Sequence, residues 1–216
     1  MGSPLFLLRD PELFVAFLIA IIVGLTFHEF SHAAVATLQG DQTARSQGRL
    51  TLNPVVHLDP LGTIALLIAG LGWARPTPVT PTRLRYRRLG MVLVGLAGPA
   101  ANFVIALVSA IALRIVEPAA GATLDGNFSV KLLSYLVIWN VLLGVFNLLP
   151  IPPLDGSTLL TVLLPPSRQN IVRFLDQYGI FLLLGLLILA PNFLTPIVLA
   201  VIEAISRLVG LVIPPV

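Results

Sequence analysis

His28, Glu29 and His32 form the sequence HEFSH inside one of the most apolar stretches of the chain. Residues four apart on an α-helix share a face, so both imidazoles can bind one Zn²⁺ ion, with Glu29 about 100° around the helix. There its carboxylate can take a proton from water activated by the metal. The alternative is a polar packing patch in which the histidines hydrogen-bond to neighbouring helices. Because ionisable groups in hydrocarbon are costly, we favour the catalytic interpretation.

A catalytic zinc site needs a third protein ligand, and Asp155 is the best candidate for it. Asp155 lies in the segment NLLPIPPLDG at 147–156, where three prolines forbid a regular helix. Irregular backbone at membrane depth is tolerated only where it is buried in protein or lines a water-filled cavity. The alternative is a simple turn that ends a helix. The chain contains no cysteine, so nitrogen and oxygen atoms must supply every ligand.

The composition is that of an integral membrane protein, since 56% of the 216 residues are hydrophobic and only 11% are charged. Long apolar runs predict membrane-spanning helices near residues 12–38, 88–116, 130–149, 176–190 and 193–213. A shorter run at 60–73 predicts a re-entrant or membrane-surface segment, with a sixth full crossing as the alternative. The expected fold class is therefore an all-α polytopic membrane protein with about five to six transmembrane helices.

We expect one membrane-embedded domain over residues 1–216, with a core at 12–164 and accessory helices at 176–213. After the first helix, the sequence GRLTL at 48–52 alternates polar and apolar residues, which is typical of an exposed strand. We therefore expect a short membrane-associated β-hairpin there, and we hypothesise that Thr51 and its neighbours bind substrate by strand addition. A surface hairpin without a ligand is the alternative.

The basic residues predict the orientation of the chain, because cytoplasmic loops are enriched in Lys and Arg. Residues 75–88 hold five of the thirteen basic residues. If the first helix runs from outside to inside, ten basic residues lie inside and three lie outside. The metal ligands would then lie nearer the cytoplasmic side. Twelve arginines to one lysine favour a prokaryotic cell membrane, and we interpret the net charge of +3 as a sign of orientation rather than of nucleic-acid binding.

Three segments together resemble the signatures of the site-2 proteases, a family of zinc metalloproteases that cut substrates within the membrane. They are HEFSH (28–32), GPAAN (98–102) and NLLPIPPLDG (147–156), and they occur in the order found in that family. The resemblance covers most of residues 12–164. It is closest to the compact branch in which the metal helix comes first and which has no PDZ or CBS domain.

The resemblance implies that His28, His32 and Asp155 bind one Zn²⁺ ion per chain and that Glu29 is the catalytic acid and base. It also implies that Asn147 positions the substrate or stabilises the oxyanion. The implied activity is hydrolysis of peptide bonds in or near transmembrane segments of membrane-anchored proteins in the lipid bilayer. A zinc-binding membrane protein without proteolytic activity, such as a metal carrier, is the alternative, although a single compact site favours catalysis.

Two further polar residues are candidates for supporting roles. Asn102 follows small residues on a predicted helix, and it either bonds irregular backbone near the site or serves helix packing. His57, in the sequence NPVVHLDP, is expected to organise its loop through a hydrogen bond with Asp59. A role for His57 as a gate, a transient metal ligand or a substrate contact is the alternative.

Overall fold

The computed structural model describes residues 9–70, 72–120 and 127–211. Its α-helices are, in chain order, α1 (Pro11–Leu38), α2 (Thr43–Ser46), α3 (Pro54–His57), α4 (Pro60–Ala69), α5 (Arg87–Ala120), α6 (Phe128–Asn147), α7 (Gly156–Leu163), α8 (Gln169–Leu189) and α9 (Thr195–Val209). Short 3-10 helices at Pro81–Arg83 and Pro166–Arg168 precede α5 and α8. The chain is therefore mostly helical, as the sequence predicts.

Within the described residues, four helices are long and apolar enough to cross a membrane: α1, α5 over Arg87–Val116, α6 and α8. The predicted five to six crossings are thus not confirmed. α9 has 15 residues, fewer than the ~20 that a crossing needs. Pro196 lies in its first turn, and Gly210 ends it in the left-handed conformation with φ of 66°. α4 has ten residues, in agreement with a partial segment after the first helix.

α1, α5 and α6 pack against one another and form the centre of the molecule. The fully buried Phe17 of α1 meets Trp139 of α6 edge-on, with 4.8 Å between the ring centroids. A second apolar cluster joins α5, α6 and α9 through Ala106, Val141 and Val198. Because α1 and α5 carry the first two sequence motifs and α6 ends at the start of the third, this packing brings all three motifs together.

Polar contacts at the helix ends show how the central helices run. Lys131 at the start of α6 forms ion pairs with Asp10 and Glu12 at the start of α1, at 3.2 Å and 3.0 Å. At the opposite end, the Gln39 side chain beyond α1 donates to the Gly90 carbonyl near the start of α5. α1 and α6 therefore run in the same direction, with α5 antiparallel to both, as alternating crossings require.

The hairpin predicted after α1 is not confirmed, because the part of the chain that the structure describes contains no β-strand. An isolated bridge between Leu58 and Ala74 is the β pairing found there. The segment at 48–52 turns instead, with Gly48 at φ of 69° and Arg49 buried. The guanidinium of Arg49 donates to the backbone carbonyls of Val56, Arg75 and Pro76. A buried side chain thus satisfies these three carbonyl groups.

Candidate active site

The described residues contain one group of side chains suited to hold a metal ion: His28 and His32 of α1, and Asp155 at the start of α7. Their ligand atoms all lie within 4.8 Å of one another. Asp155 Oδ2 is 2.9 Å from His28 Nε2 and 3.3 Å from His32 Nε2. Both histidines are buried, whereas the Asp155 side chain is 23% exposed. The group is therefore closed on the side of α1 and partly open on the side of Asp155.

Local sequence explains how each of these three side chains is presented to the others. The spacing of four residues puts both histidines on one face of α1, with 4.6 Å between their ring centroids. Asp155 follows the proline-rich loop after α6, and α7 begins at Gly156. A Cβ atom at Gly156 would lie 2.2 Å from the Leu148 carbonyl oxygen, so only glycine lets α7 start against the end of α6. This turn brings the carboxylate to the imidazoles.

The Nδ1 atoms of both histidines face hydrogen-bond acceptors. Asn102 Nδ2 donates to Gly24 O at 3.1 Å and to Asn140 Oδ1 at 2.9 Å, so its Oδ1 faces His28 Nδ1 at 2.7 Å. His32 Nδ1 lies 2.7 Å from the Val94 carbonyl oxygen. Each Nδ1 therefore carries a proton, and each ring directs its Nε2 towards Asp155.

Asp155 Oδ2 is buried and accepts no hydrogen bond of suitable geometry from any described residue. Two imidazole nitrogens and a carboxylate oxygen thus converge on one point. Such an arrangement is repulsive unless positive charge lies among the three atoms. Two histidines and one carboxylate form a known ligand set of catalytic zinc, in which the fourth position is left for water. The residues present therefore fit a zinc ion.

Gly98 of the GPAAN segment allows α5 to approach the two imidazoles closely. A Cβ atom there would lie 2.5 Å from His32 Nε2 and 2.6 Å from His28 Nε2. The same helix supplies the acceptors for both Nδ1 atoms, from Asn102 and Val94. α5 therefore orients the face of α1 that carries the two candidate metal ligands.

Glu29 is buried beside the histidines, and Thr77 holds one of its carboxylate oxygens. Oε2 accepts a hydrogen bond from the Thr77 backbone N–H at 2.9 Å and lies 2.8 Å from the Thr77 hydroxyl. Among the described residues, none donates to Oε1. Glu29 is therefore fixed at one oxygen, while the other is available to a proton.

Thr77 belongs to an extended segment, residues 73–80, which we term the strap. The strap is fixed near both ends: Arg75 N–H donates to His57 O at 2.7 Å, and Thr80 N–H donates to Asp41 Oδ2 at 2.6 Å. Burial would raise the pKa of Asp41, but hydrogen bonds from Thr43 and Thr80 outweigh burial and hold this pKa below its usual value. Asp41 is therefore an ionised anchor for the strap.

His57 and Thr51 organise the loop before α4. His57 is fully buried, and its Nε2 lies 2.8 Å from the Thr51 carbonyl oxygen. The expected partner Asp59 instead caps α4 by accepting from the Gly62 N–H at 2.9 Å. His57 thus bonds within its loop, but to the Thr51 carbonyl and not to the predicted partner Asp59. The Thr51 carbonyl therefore already has one hydrogen-bond partner inside the fold.

Asn147 ends α6, where its Nδ2 donates to the Leu143 carbonyl at 3.0 Å. The structure does not bring it into hydrogen-bond contact with the three candidate ligands.

Three residues that sequence reasoning missed support the site: Thr77, Asn140 and Arg49. Asn140 stands out in the sequence as a polar residue inside an apolar run, but its partner is not evident from that run, and Arg49 lies in a polar stretch where it does not stand out. Nothing in the local sequence singles out Thr77.

Comparisons with known proteins find related sequences over most of the chain. The sequence pattern of peptidase family M50 matches residues 113–188, which include Asp155. The chain is 42% identical over 202 residues to "Putative zinc metalloprotease YwhC" of Bacillus subtilis strain 168, covering 91% of this chain and 92% of that protein. It is 35% identical over 191 residues to "Putative zinc metalloprotease Rip2" of Mycolicibacterium smegmatis, covering 84% of this chain and 71% of that protein.

An archaeal protein, "Putative zinc metalloprotease MJ0611" of Methanocaldococcus jannaschii, is 31% identical over 147 residues, covering 68% of this chain and 70% of that protein. No solved structure matches the chain. The bacterial similarities extend over most of the sequence, well beyond the segment that the family pattern matches. The chain therefore belongs to peptidase family M50, the family of the site-2 proteases.

Proposed function

We propose that this zinc metalloprotease is an intramembrane endopeptidase that hydrolyses peptide bonds in or near the transmembrane segments of membrane-anchored proteins. The observation that carries the proposal is the convergence of His28, His32 and Asp155 beside helices long enough to span a bilayer. His28 lies about 26 Å along α1 from Pro11, and His32 lies about 9 Å from the end at Leu38. These distances support a site within the membrane.

One zinc ion per chain would be held by His28, His32 and Asp155. Their support is the converging geometry: both Nδ1 atoms are committed to acceptors, and Asp155 Oδ2 is buried without a donor. When bound, zinc acts as a Lewis acid towards water and the scissile carbonyl. The protein's contribution is to hold the three ligands in place and to keep both imidazoles in one tautomer.

Glu29 acts as the general base and then as the general acid. Its carboxylate takes a proton from the attacking water and passes it to the departing amine. The support for this role is its position next to His28 on α1 and the anchoring of Oε2 by Thr77, which leaves Oε1 without a donor among the described residues. A carboxylate held at one oxygen can exchange a proton at the other without leaving its place.

Asn147 and Asn102 have separate roles in this proposal. Asn147 binds the substrate backbone, since its Nδ2 donates only to its own helix and its Oδ1 has no described partner. Asn102 orients His28 and does not touch the substrate, because it is fully buried and all its described bonds lie within the protein. The catalytic set is therefore Glu29 and Asn147, with Asn102 as support.

The site lies nearer the cytoplasmic side of the membrane. The end of α1 close to His32 meets the segment before α5, and the arginine-rich stretch 75–88 lies there. Cytoplasmic loops are enriched in such residues. Substrates would therefore be cut towards the cytoplasmic end of their membrane-spanning segments.

The test is to measure zinc content and cleavage of a single-span membrane substrate by purified wild type, Glu29→Gln and Asp155→Asn. We expect one zinc per chain in wild type and in Glu29→Gln, with cleavage only in wild type. Asp155→Asn should lose both zinc and activity. Cleavage by Glu29→Gln would refute its role as base, and a zinc-loaded wild type that cleaves no membrane substrate would favour a non-proteolytic zinc protein.

A further inference from the structure

We infer that Thr77 is a positioning residue for Glu29, which holds one carboxylate oxygen so that the other receives the proton. The inference rests on the proposed function, because it presupposes that Glu29 is the general base. Thr77 lies 48 residues from Glu29 in the sequence and contacts it only through the fold. It is not one of the metal ligands, and it belongs to none of the three motifs.

Thr77 directs two donors at a single carboxylate oxygen. Its backbone N–H lies 2.9 Å from Glu29 Oε2 and its hydroxyl oxygen lies 2.8 Å from the same atom. The hydroxyl oxygen is also 3.1 Å from the Glu29 carbonyl, but its single proton serves one acceptor at a time. A carboxylate is the stronger acceptor, so the hydroxyl donates mainly to Oε2. Glu29, a side chain with three rotatable bonds, is thus held in one orientation.

The backbone around Thr77 is conformationally restricted, as a positioning residue requires. Thr77 lies between Pro76 and Pro78, so its own N–H is the one backbone donor in this tripeptide. Each proline fixes its own φ, and Pro78 also restricts Thr77 to extended conformations. The N–H of Thr77 therefore has little freedom to turn away from Glu29.

Buried polar contacts fix the strap on either side of Thr77. Arg49, which is 5% exposed, donates to the carbonyls of Arg75 at 2.6 Å and Pro76 at 2.8 Å. Asp41 receives the N–H of Thr80, three residues after Thr77. The strap is therefore held independently of Glu29, so the Thr77 hydroxyl can be removed without releasing the strap.

Two substitutions separate the effect of the Thr77 hydroxyl from the effect of the rest of its side chain. Thr77→Val keeps the shape and the backbone N–H but removes the hydroxyl, whereas Thr77→Ser keeps the hydroxyl. Losing one of two hydrogen bonds to a charged group predicts a kcat about tenfold lower in Thr77→Val. KM and zinc content should be unchanged, and Thr77→Ser should restore kcat to near the wild-type value.

Thr80→Val is the matched control. Thr80 lies on the same strap, and its hydroxyl bonds with the hydroxyl of Thr43 at 2.9 Å, away from Glu29. Thr80→Val should therefore keep the wild-type kcat. Equal losses of kcat in Thr77→Val and Thr80→Val would mean that the strap is merely structural, and would overturn the inference. A wild-type kcat in Thr77→Val, or a Thr77→Ser variant as slow as Thr77→Val, would also overturn it.

A second readout uses metal-free protein and needs no activity. The carboxylate stretching band of Glu29 is isolated as the infrared difference between a protein and its Glu29→Gln counterpart. Thr77→Val should shift this band, and Thr77→Ser should leave it at the wild-type frequency. An unshifted band in Thr77→Val would overturn the contact itself. If the band shifts but wild type cleaves nothing, the proposed function fails, and the positioning role is overturned with it.

Discussion

Gly98→Ala tests the central geometry of the site, because it adds one methyl group directly against the ring atoms of the two candidate histidine ligands. A Cβ atom at Gly98 would lie 2.5 Å from His32 Nε2 and 2.6 Å from both Cε1 and Nε2 of His28. Favourable contacts between such atoms begin at about 3.5 Å. Either the two rings or the whole of α5 must therefore move by about 1 Å.

The rings cannot withdraw without losing the bonds that orient them. Each Nδ1 lies 2.7 Å from its acceptor, on Asn102 or Val94, and both acceptors belong to the helix that carries Gly98. A retreat of about 1 Å would lengthen each bond to about 3.7 Å, which is too long for a hydrogen bond. The loss of two buried hydrogen bonds costs about 2–6 kcal/mol. A misplacement of about 1 Å in a catalytic site also lowers the rate about 100-fold.

We therefore expect Gly98→Ala to weaken zinc binding and to lower kcat by about 100-fold or more. Chelator competition would measure zinc affinity, and cleavage of a single-span substrate would measure kcat. Gly185→Ala in α8 is the control, since a Cβ atom there meets nothing within 4 Å. Wild-type affinity and turnover in Gly98→Ala would refute the close packing of α5 on the histidines. Similar losses in both variants would show that the cost does not come from this contact.

Two further predictions concern the surroundings of the site. Asn140→Leu removes the acceptor that orients the Asn102 amide. We therefore expect zinc affinity, measured by chelator competition, to fall about 10–100-fold. A cooperative melting transition would show that the variant is still folded. Asp41 has a lowered pKa, so its stabilisation of the strap is complete above about pH 4 and is lost as the pH falls through the folded-state value. The melting temperature should therefore fall more steeply on acidification in wild type than in Asp41→Asn, and parallel curves would contradict this anchor.

The candidate ligands could be predicted from sequence because their signals are local. Two histidines four residues apart share a helix face whatever the rest of the fold. Asp155 follows a run of prolines that ends a helix wherever it occurs. The structure brings these three residues together, although their meeting depends on contacts across more than a hundred residues of chain.

The supporting residues could not be predicted, because their roles depend on long-range packing. Thr77 meets Glu29 only because the strap crosses α1, and no local pattern encodes that crossing. The alternation at 48–52 predicts a strand, but Arg49 is buried and binds carbonyl groups that would otherwise have to be paired. The apolar run at 193–213 predicts a crossing, yet Gly210 ends α9 before the run is complete. In the last two examples, a single residue overrides the secondary structure that the pattern of its segment predicts.

The hydrogen bonds at the site also bear on its two interpretations, a packing patch and a metal centre. In a polar packing patch, buried groups pair donor with acceptor, since each unpaired group costs several kcal/mol in hydrocarbon. Asn140 and Asn102 obey this rule, because their amides bond to Leu136 O, to Gly24 O and to each other. The imidazole Nε2 atoms instead converge on a single carboxylate oxygen, Asp155 Oδ2, at 2.9 Å and 3.3 Å. Positive charge must lie among these three atoms, and in a chain of the zinc metalloprotease family a metal ion is the charge that we propose there.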